Sequence, residues 1–173
     1  TPEARSISPE NPTGAKGAGG MATEGLGAKC ARELGPGWKI SPCVRIEPGA
    51  ELPLADIAGP GAVQQIWLTP TGHWRFAILR VWWDGEQTPS IEVPLGDFFA
   101  MGWCKFAPLV SLAVCVNPGS ALNCYWEMPF RKHCRMSVTN IDTEPMTLYY
   151  QINYTLTDVP DDAAYLHAQF RRS

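Results

Sequence analysis

Apolar and polar positions alternate most clearly near the end of the chain. Leu148, Tyr150, Ile152, Tyr154 and Leu156 fall on one face, with Tyr149, Gln151, Asn153 and Thr155 on the other. A period of two with one apolar face predicts a half-buried strand. Cys134, Met136 and Val138 repeat the pattern against His133, Arg135, Ser137 and Thr139. Upstream, Arg75–Trp83 (RFAILRVWW) is apolar on both alternating faces, as suits a strand in the middle of a packed sandwich. It ends at Asp84-Gly85, a turn signal.

Strands are predicted over Trp38–Glu47, Ala62–Thr69, Arg75–Trp83, Ser90–Val93, Leu109–Val116, Leu122–Glu127, His133–Ile141, Met146–Thr157 and Tyr165–Phe170. The first 27 residues are rich in Gly, Pro, Ser and Thr and carry almost no large apolar side chains. By composition alone they read as a disordered tail. Thr23–Leu34 can form a short helix, with Thr23 as N-cap and Gly35 as terminator, although Gly25 and Gly27 weaken it. The chain divides into an N-terminal arm over 1–36 and a β domain over 37–173. Eight or nine strands at near-regular spacing predict an all-β fold, a single β-sandwich with an irregular Gly/Pro-rich arm.

Composition sharpens that picture by exclusion. Sixteen glycines and sixteen prolines in 173 residues suit many short strands and turns. A net charge of −3 without a basic run speaks against nucleic acid as a partner. No apolar run reaches membrane-spanning length. The start, Thr1-Pro-Glu-Ala-Arg5, has neither an initiator methionine nor a signal peptide's apolar region, which leaves a removed leader or a fragment. The six cysteines form no C-x-x-C pair, and a core of this size does not need disulfide staples, so free and mostly buried thiols are expected. In a secreted protein, Cys124 with Cys134 would be the most plausible local bridge. An extracellular setting is favoured over a cytoplasmic one, without a signal that fixes the compartment.

No cofactor is expected. Gly14–Gly20 lacks the preceding strand of a phosphate-binding loop, and His73, His133 and His167 are too scattered to suggest a metal site. Asn153-Tyr-Thr155 is a glycosylation sequon of a kind that often arises by chance. The clearest candidate chemistry is carboxylates beside aromatics: Trp83 with Asp84, Asp97 with Phe98 and Phe99, and Trp126 with Glu127. Flat apolar faces beside carboxylates suit sugar, and glycoside hydrolysis usually needs two carboxylates flanking the scissile bond. Each has a plainer reading. Asp before Gly is common in tight turns, Asp97 can cap its loop, and Glu127 merely ends a strand. Trp67 follows Ile66 in an apolar strand and is expected in the core. Trp82 and Trp83 must face opposite ways in a regular strand, so one of them is expected outside the core, stacking on sugar or filling a subunit interface.

Several of these stretches also carry a resemblance. Arg80-Val-Trp-Trp-Asp-Gly85, Pro94-Leu-Gly-Asp-Phe-Phe99 and Cys124-Tyr-Trp-Glu-Met-Pro-Phe130 resemble the DUF2961 family, also classified as glycoside hydrolase family 172. Arg5-Ser-Ile-Ser-Pro-Glu-Asn-Pro-Thr-Gly14, Gly59-Pro-Gly-Ala-Val-Gln-Gln-Ile-Trp67 and His167-Ala-Gln-Phe-Arg-Arg172 are similar too, in the same order. The resemblance implies a jelly roll. Family members typically carry two in tandem, and this sequence resembles the first. It also implies that the family's catalytic glutamates lie in the second roll, beyond Ser173, so no catalytic residue is assigned here. Trp83, Asp84, Asp97, Phe98, Phe99, Trp126 and Glu127 stand only as substrate-binding candidates.

Two functions follow as expectations. One is a self-assembling jelly roll without catalysis of its own, forming a homo-oligomer (a trimer or larger, as the resemblance implies) and contacting carbohydrate. The other is half of an exo-acting glycosidase on fructofuranosyl or arabinofuranosyl linkages. In the oligomer the arm is expected to lie on a neighbouring subunit, because it has too few apolar groups to order itself.

Overall fold

The computed structural model describes residues 1–31, 33–34 and 37–172. In chain order its strands are β1 (Glu3–Ile7), β2 (Val44–Ile46), β3 (Glu51–Ala58), β4 (Gly61–Pro70), β5 (Ala77–Trp83), β6 (Ile91–Pro94), β7 (Leu109–Val110), β8 (Val114–Val116), β9 (Leu122–Cys124), β10 (Met128–Phe130), β11 (His133–Asn140), β12 (Met146–Leu156) and β13 (Ala168–Gln169). Among the described residues they form two sheets. One runs β1-β12-β4-β9-β8-β7, with β10 also on β4 and β2 also on β12; the other runs β13-β6-β5-β11-β3. The chain crosses between sheets at β2–β3, β3–β4, β4–β5, β6–β7, β10–β11, β11–β12 and β12–β13, giving a jelly-roll β-sandwich.

Alternation decides what lies between the sheets. Ile66, Leu68, Leu148 and Ile152 face Leu79, Val81, Met136 and Val138, and all eight are fully buried. Each such side chain contributes roughly 1.5–3 kcal/mol relative to exposure. β5 is the middle strand of its sheet, as its two-sided apolar character predicts.

Where elements differ from expectation, a local hydrogen bond usually explains it. The strand expected over Trp38–Glu47 shrinks to β2. Its first half is engaged by the arm, since Gly27 N–H donates to Ile40 O (2.7 Å) and Ser41 N–H to Glu10 Oε1 (2.7 Å). The same contacts limit the helix expected over Thr23–Leu34 to one turn, Ala28–Ala31 (α1), with residue 32 outside the described residues. A Cβ at Gly25 would sit 2.6 Å from Ser41 Cα and one at Gly27 2.8 Å from Ile40 O, so these glycines serve close backbone approach. Leu109–Val116 splits into β7 and β8 because Ser111 turns the chain, its hydroxyl accepting from Val114 N–H (2.9 Å) and donating to Val114 O (2.8 Å). Residues 74–76 form a short 3₁₀ turn ahead of β5.

Three strands were not expected: β1, β3 and the short β10, which pairs antiparallel with β4 at Val63–Gly61. β3 carries Pro53, but it is the edge strand of its sheet and pairs with β11 across a register shift at Met136/Ser137, where the missing N–H is tolerated. β1 pairs antiparallel with β12 from Glu3↔Leu156 to Ile7↔Ile152, and Ile7 is fully buried. The arm therefore begins as a strand of the chain's own sheet rather than as an irregular segment.

Candidate functional site

The three carboxylates picked from the sequence have different environments. Asp84 follows β5 with φ 52°, and Gly85 follows with φ 84°, the left-handed pair of a tight turn that Asp-Gly favours. Its carboxylate accepts from the backbone N–H groups of Arg131 (3.1 Å), Lys132 (2.7 Å) and His133 (3.0 Å), and from the Tyr165 hydroxyl. Burial alone would raise its pKa, but the Tyr165 hydroxyl and the three N–H donors outweigh it and hold the carboxyl below the usual value. Tyr165 lies under the Arg131 guanidinium (5.0 Å). Arg131 in turn donates to the carbonyls of Pro160 (3.1 Å), Asp161 (3.0 Å) and Ala163 (2.8 Å). Beside them, the Trp83 indole N–H donates to Leu166 O (2.8 Å). Trp83 and Asp84 thus fasten the 160–166 segment to the sandwich, ahead of the parallel pairing of β13 with β6.

Asp97 sits on a one-turn helix, α2 (Leu95–Phe98), directly after β6. Both of its oxygens are taken by Arg75, at 2.8 and 3.0 Å, in the fork geometry that suits guanidinium and carboxylate. The hydrogen bond to Asp97 raises the Arg75 pKa, and the guanidinium also covers Phe170 at 5.2 Å. Ile78 pairs with Pro94, so α2 lies near the start of β5 while Asp84 lies past its end. With seven residues in β5, the two carboxylates stand roughly 20 Å apart at about 3.3 Å per residue. They are not a pair.

The aromatic candidates are packed. Trp83 and Phe99 are fully buried, and Phe98 nearly so. Phe98 meets Phe99 and Trp126 edge to face, each at 5.2 Å, which brings α2 and the 125–127 segment together. Trp83, Phe98 and Phe99 are so enclosed that they offer no free face to a sugar, whereas Trp126 is only half-buried. Glu127 is exposed, and its Oε1 accepts from Gln64 Nε2 at 3.2 Å. Trp82 does lie on the outer face of its sheet, but it is buried there beneath the Arg135 guanidinium at 3.8 Å. Trp67 corrects the core expectation. Its neighbours Ile66 and Leu68 point inward, and the indole lies half-buried on the outer face of β4.

Around Trp67 is a feature that sequence reasoning missed. A bulge in β4 opposite Asn153/Tyr154 separates Gln64 and Gln65 from the inward-facing Val63. A row of amides then crosses the sheet. Gln151 Nε2 donates to Asn153 Oδ1 (3.0 Å), Asn153 Nδ2 to Gln65 Oε1 (2.9 Å), and Gln65 Nε2 to Asn123 Oδ1 (3.3 Å). Asn123 Nδ2 ends the row on the carbonyls of Cys115 and Ala121, both at 3.3 Å. The alternation of β12 marked Gln151 and Asn153 as outward; their joining to Gln65 and Asn123 depends on strand order.

All six cysteines are unpaired, with Cys43, Cys124 and Cys134 buried. Cys124 and Cys134 belong to strands of different sheets. His133 pairs with Asp56 (2.5 Å), and His73 contacts Cys104 Sγ (3.6 Å). Among the described residues no group of three or more His, Cys, Asp or Glu side chains could hold a metal ion. No helix among them is long and apolar enough to cross a membrane.

Comparison with known proteins agrees with this architecture. No curated protein matches the chain. The family model of the GH172 first β-sandwich domain matches residues 36–162, from the segment before β2 to the Arg131-bound carbonyls. With two sheets of the expected kind under a match over most of its length, the chain belongs to glycoside hydrolase family 172 and represents its first β-sandwich domain.

Proposed function

We propose that this chain is the scaffolding and sugar-contacting half of a family-172 protein, and that it does not carry an acid and nucleophile pair of its own. The observation behind this is the use of its carboxylates. Asp84 is filled by three N–H groups and a hydroxyl, Asp97 by both arms of Arg75, and the two flank opposite ends of β5. Glycosidic carboxylates need to stand about 5–5.5 Å apart for retention or roughly 6.5–9.5 Å for inversion. The exo-acting hydrolysis of fructofuranosyl or arabinofuranosyl linkages is then work for a pair supplied from outside this chain.

The test is to incubate the purified chain with an aryl α-arabinofuranoside and with difructose dianhydride, beside its Asp97→Asn and Glu127→Gln variants. No turnover from any of the three is expected. Turnover by the parent that disappears in either variant would restore catalysis to this chain.

Self-assembly is a second reading, favoured by one surface. Trp103 is 89% exposed and Leu112 99%, with Phe106 and Val110 exposed along the chain between them; Val110 lies on β7, at the open edge of its sheet, and Leu112 just past it. Large apolar side chains clustered on an unpaired edge suit burial against another protein surface. Light scattering on the parent and on a Trp103→Ser, Leu112→Asp variant tests this. A homo-oligomer that falls to monomer in the variant is expected; a monomeric parent refutes it.

A further inference from the structure

The arm, the 37–42 segment and the outer face of β4 and β12 enclose a cleft of about 270 Å³. Trp67 and Gln151 form its floor, with Ser8, Glu10, Lys39 and Pro42 around it. We infer that this cleft, whose lining includes none of the acids that the sequence singles out, binds one neutral sugar ring, stacked on Trp67 and hydrogen-bonded by Gln151 and Glu10. The inference rests on the sugar-contacting reading above and gives it a place.

Three observations carry it. First, Trp67 has an unused surface. Among the described residues no ring or guanidinium stacks on it and its indole N–H has no acceptor, whereas Trp82 lies under Arg135 and Trp83 donates to Leu166 O. A half-exposed indole beside polar groups is the amphipathic surface that a sugar's C–H face and hydroxyl rim require.

Second, Gln151 heads the amide row. Gln151 gives its N–H along β12 to Asn153, from which the row crosses to Gln65 on β4 and Asn123 on β9, while its own Oε1 accepts from no described residue. The row ends on two backbone carbonyls and holds the amide in one orientation before any ligand arrives. Register places Trp67 directly opposite Gln151 on one side and Asn123 on the other, so ring and amides share one face.

Third, Glu10 has an unmet acceptor. Its Oε1 takes the Ser41 N–H at 2.7 Å, but its Oε2 is buried with no hydrogen-bond partner. Buried acceptors are normally paired, and a hydroxyl group of a ligand seated in the cleft can donate to this one after a small shift of the arm. Glu10 and Lys39 put one charge of each sign in the same cleft. That balance disfavours anions and cations alike and suits a ligand that both donates and accepts. At roughly 30 Å³ per displaced water, the volume corresponds to a single ring rather than a chain.

The experiment uses the full chain and methyl α-arabinofuranoside, read by tryptophan fluorescence and saturation-transfer NMR. Saturable binding in the millimolar range is expected, weakened about tenfold or more in Trp67→Ala and in Gln151→Ala. Tyr125→Ala, an exposed ring outside the cleft lining, should bind as the parent does. Thermal melts of each variant separate loss of binding from loss of fold, and the exposed Gln151 is the safer substitution. Binding that both cleft variants retain overturns the site while leaving the sugar-contacting reading intact. No saturable binding by the parent overturns both, and the hydrolysis assay above decides separately whether the chain is catalytic.

Discussion

Replacing Asp84 tests the claim that its carboxylate is a structural acceptor. Asp84→Ala removes a group that takes three backbone N–H bonds and one hydroxyl bond. A hydrogen bond to a charged group contributes about 1.5–3 kcal/mol net. The four are not additive, because this turn is partly open and water replaces part of what is lost. A combined loss of roughly 2–4 kcal/mol is expected. Alanine must also hold φ near 52°, which adds about 1 kcal/mol of backbone strain that glycine would not. Asp84→Gly should therefore be less damaging than Asp84→Ala by about that amount. Asp84→Asn, which tolerates the left-handed turn and keeps one acceptor oxygen, should be the mildest of the three. For a chain of this length about 3 kcal/mol corresponds to a fall in Tm of roughly 6–12 °C. Asp84 is held below its unfolded pKa, so its contribution is fully present above that value and disappears as pH falls through the folded one. The gap between parent and Asp84→Asn in urea melts should thus be constant from pH 7 down to about pH 4 and shrink below it. A variant series within about 0.5 kcal/mol of the parent, or a gap that persists unchanged at the acid end, would refute the reasoning.

Two further outcomes follow from the same contacts. Arg131→Ala removes three bonds to carbonyls between Pro160 and Ala163 and the cover over Tyr165, so limited proteolysis should cut near 158–166 much faster than in the parent; unchanged cleavage would count against the fastening role. Burial pushes the Cys124 thiol up to about 12, and burial followed by the carboxylates of Asp56 and Asp84 pushes Cys134 up as well. Both should ignore a disulfide-exchange reagent at pH 8 until the chain is unfolded in urea, whereas exposed Cys30 should react at once; prompt release of six equivalents from native protein would contradict this.

How much of the fold the sequence shows depends on how far apart the deciding contacts lie. β12 and β11 read clearly because their alternation is a property of each strand alone, and one buried face enforces it. β3 and β1 do not. Pro53 argues against a strand unless that strand is known to sit at a sheet edge, and Glu3–Ile7 has only Ile7 to bury. The break in Leu109–Val116 was visible in principle, since Ser111 is a turn residue, but two short strands and one long strand share the same apolar count.

The candidate site was harder to read for a related reason. Aromatic next to acid is a signal of sugar chemistry only when both groups face the same open space. Trp83 and Asp84 are consecutive at a strand end, so the ring enters the core while the carboxylate turns to cap Arg131–His133. Phe98 and Phe99 likewise fill the end of the sandwich while Asp97 holds Arg75. Adjacent residues on a strand or a single helical turn are pointed apart, so adjacency works against a shared site. Groups that do share a face are two apart on one strand or opposite one another across a ladder. Trp67 meets both conditions, with Gln65 two positions before it and Gln151 and Asn123 across from it, but those partners are 84 and 56 positions further along the chain. Only the strand order β12-β4-β9 turns four scattered amides and an indole into one surface. For a sandwich of short strands, the informative search in sequence is therefore for polar residues that share a strand with an aromatic at even spacing, with the ladder deciding which strands to combine.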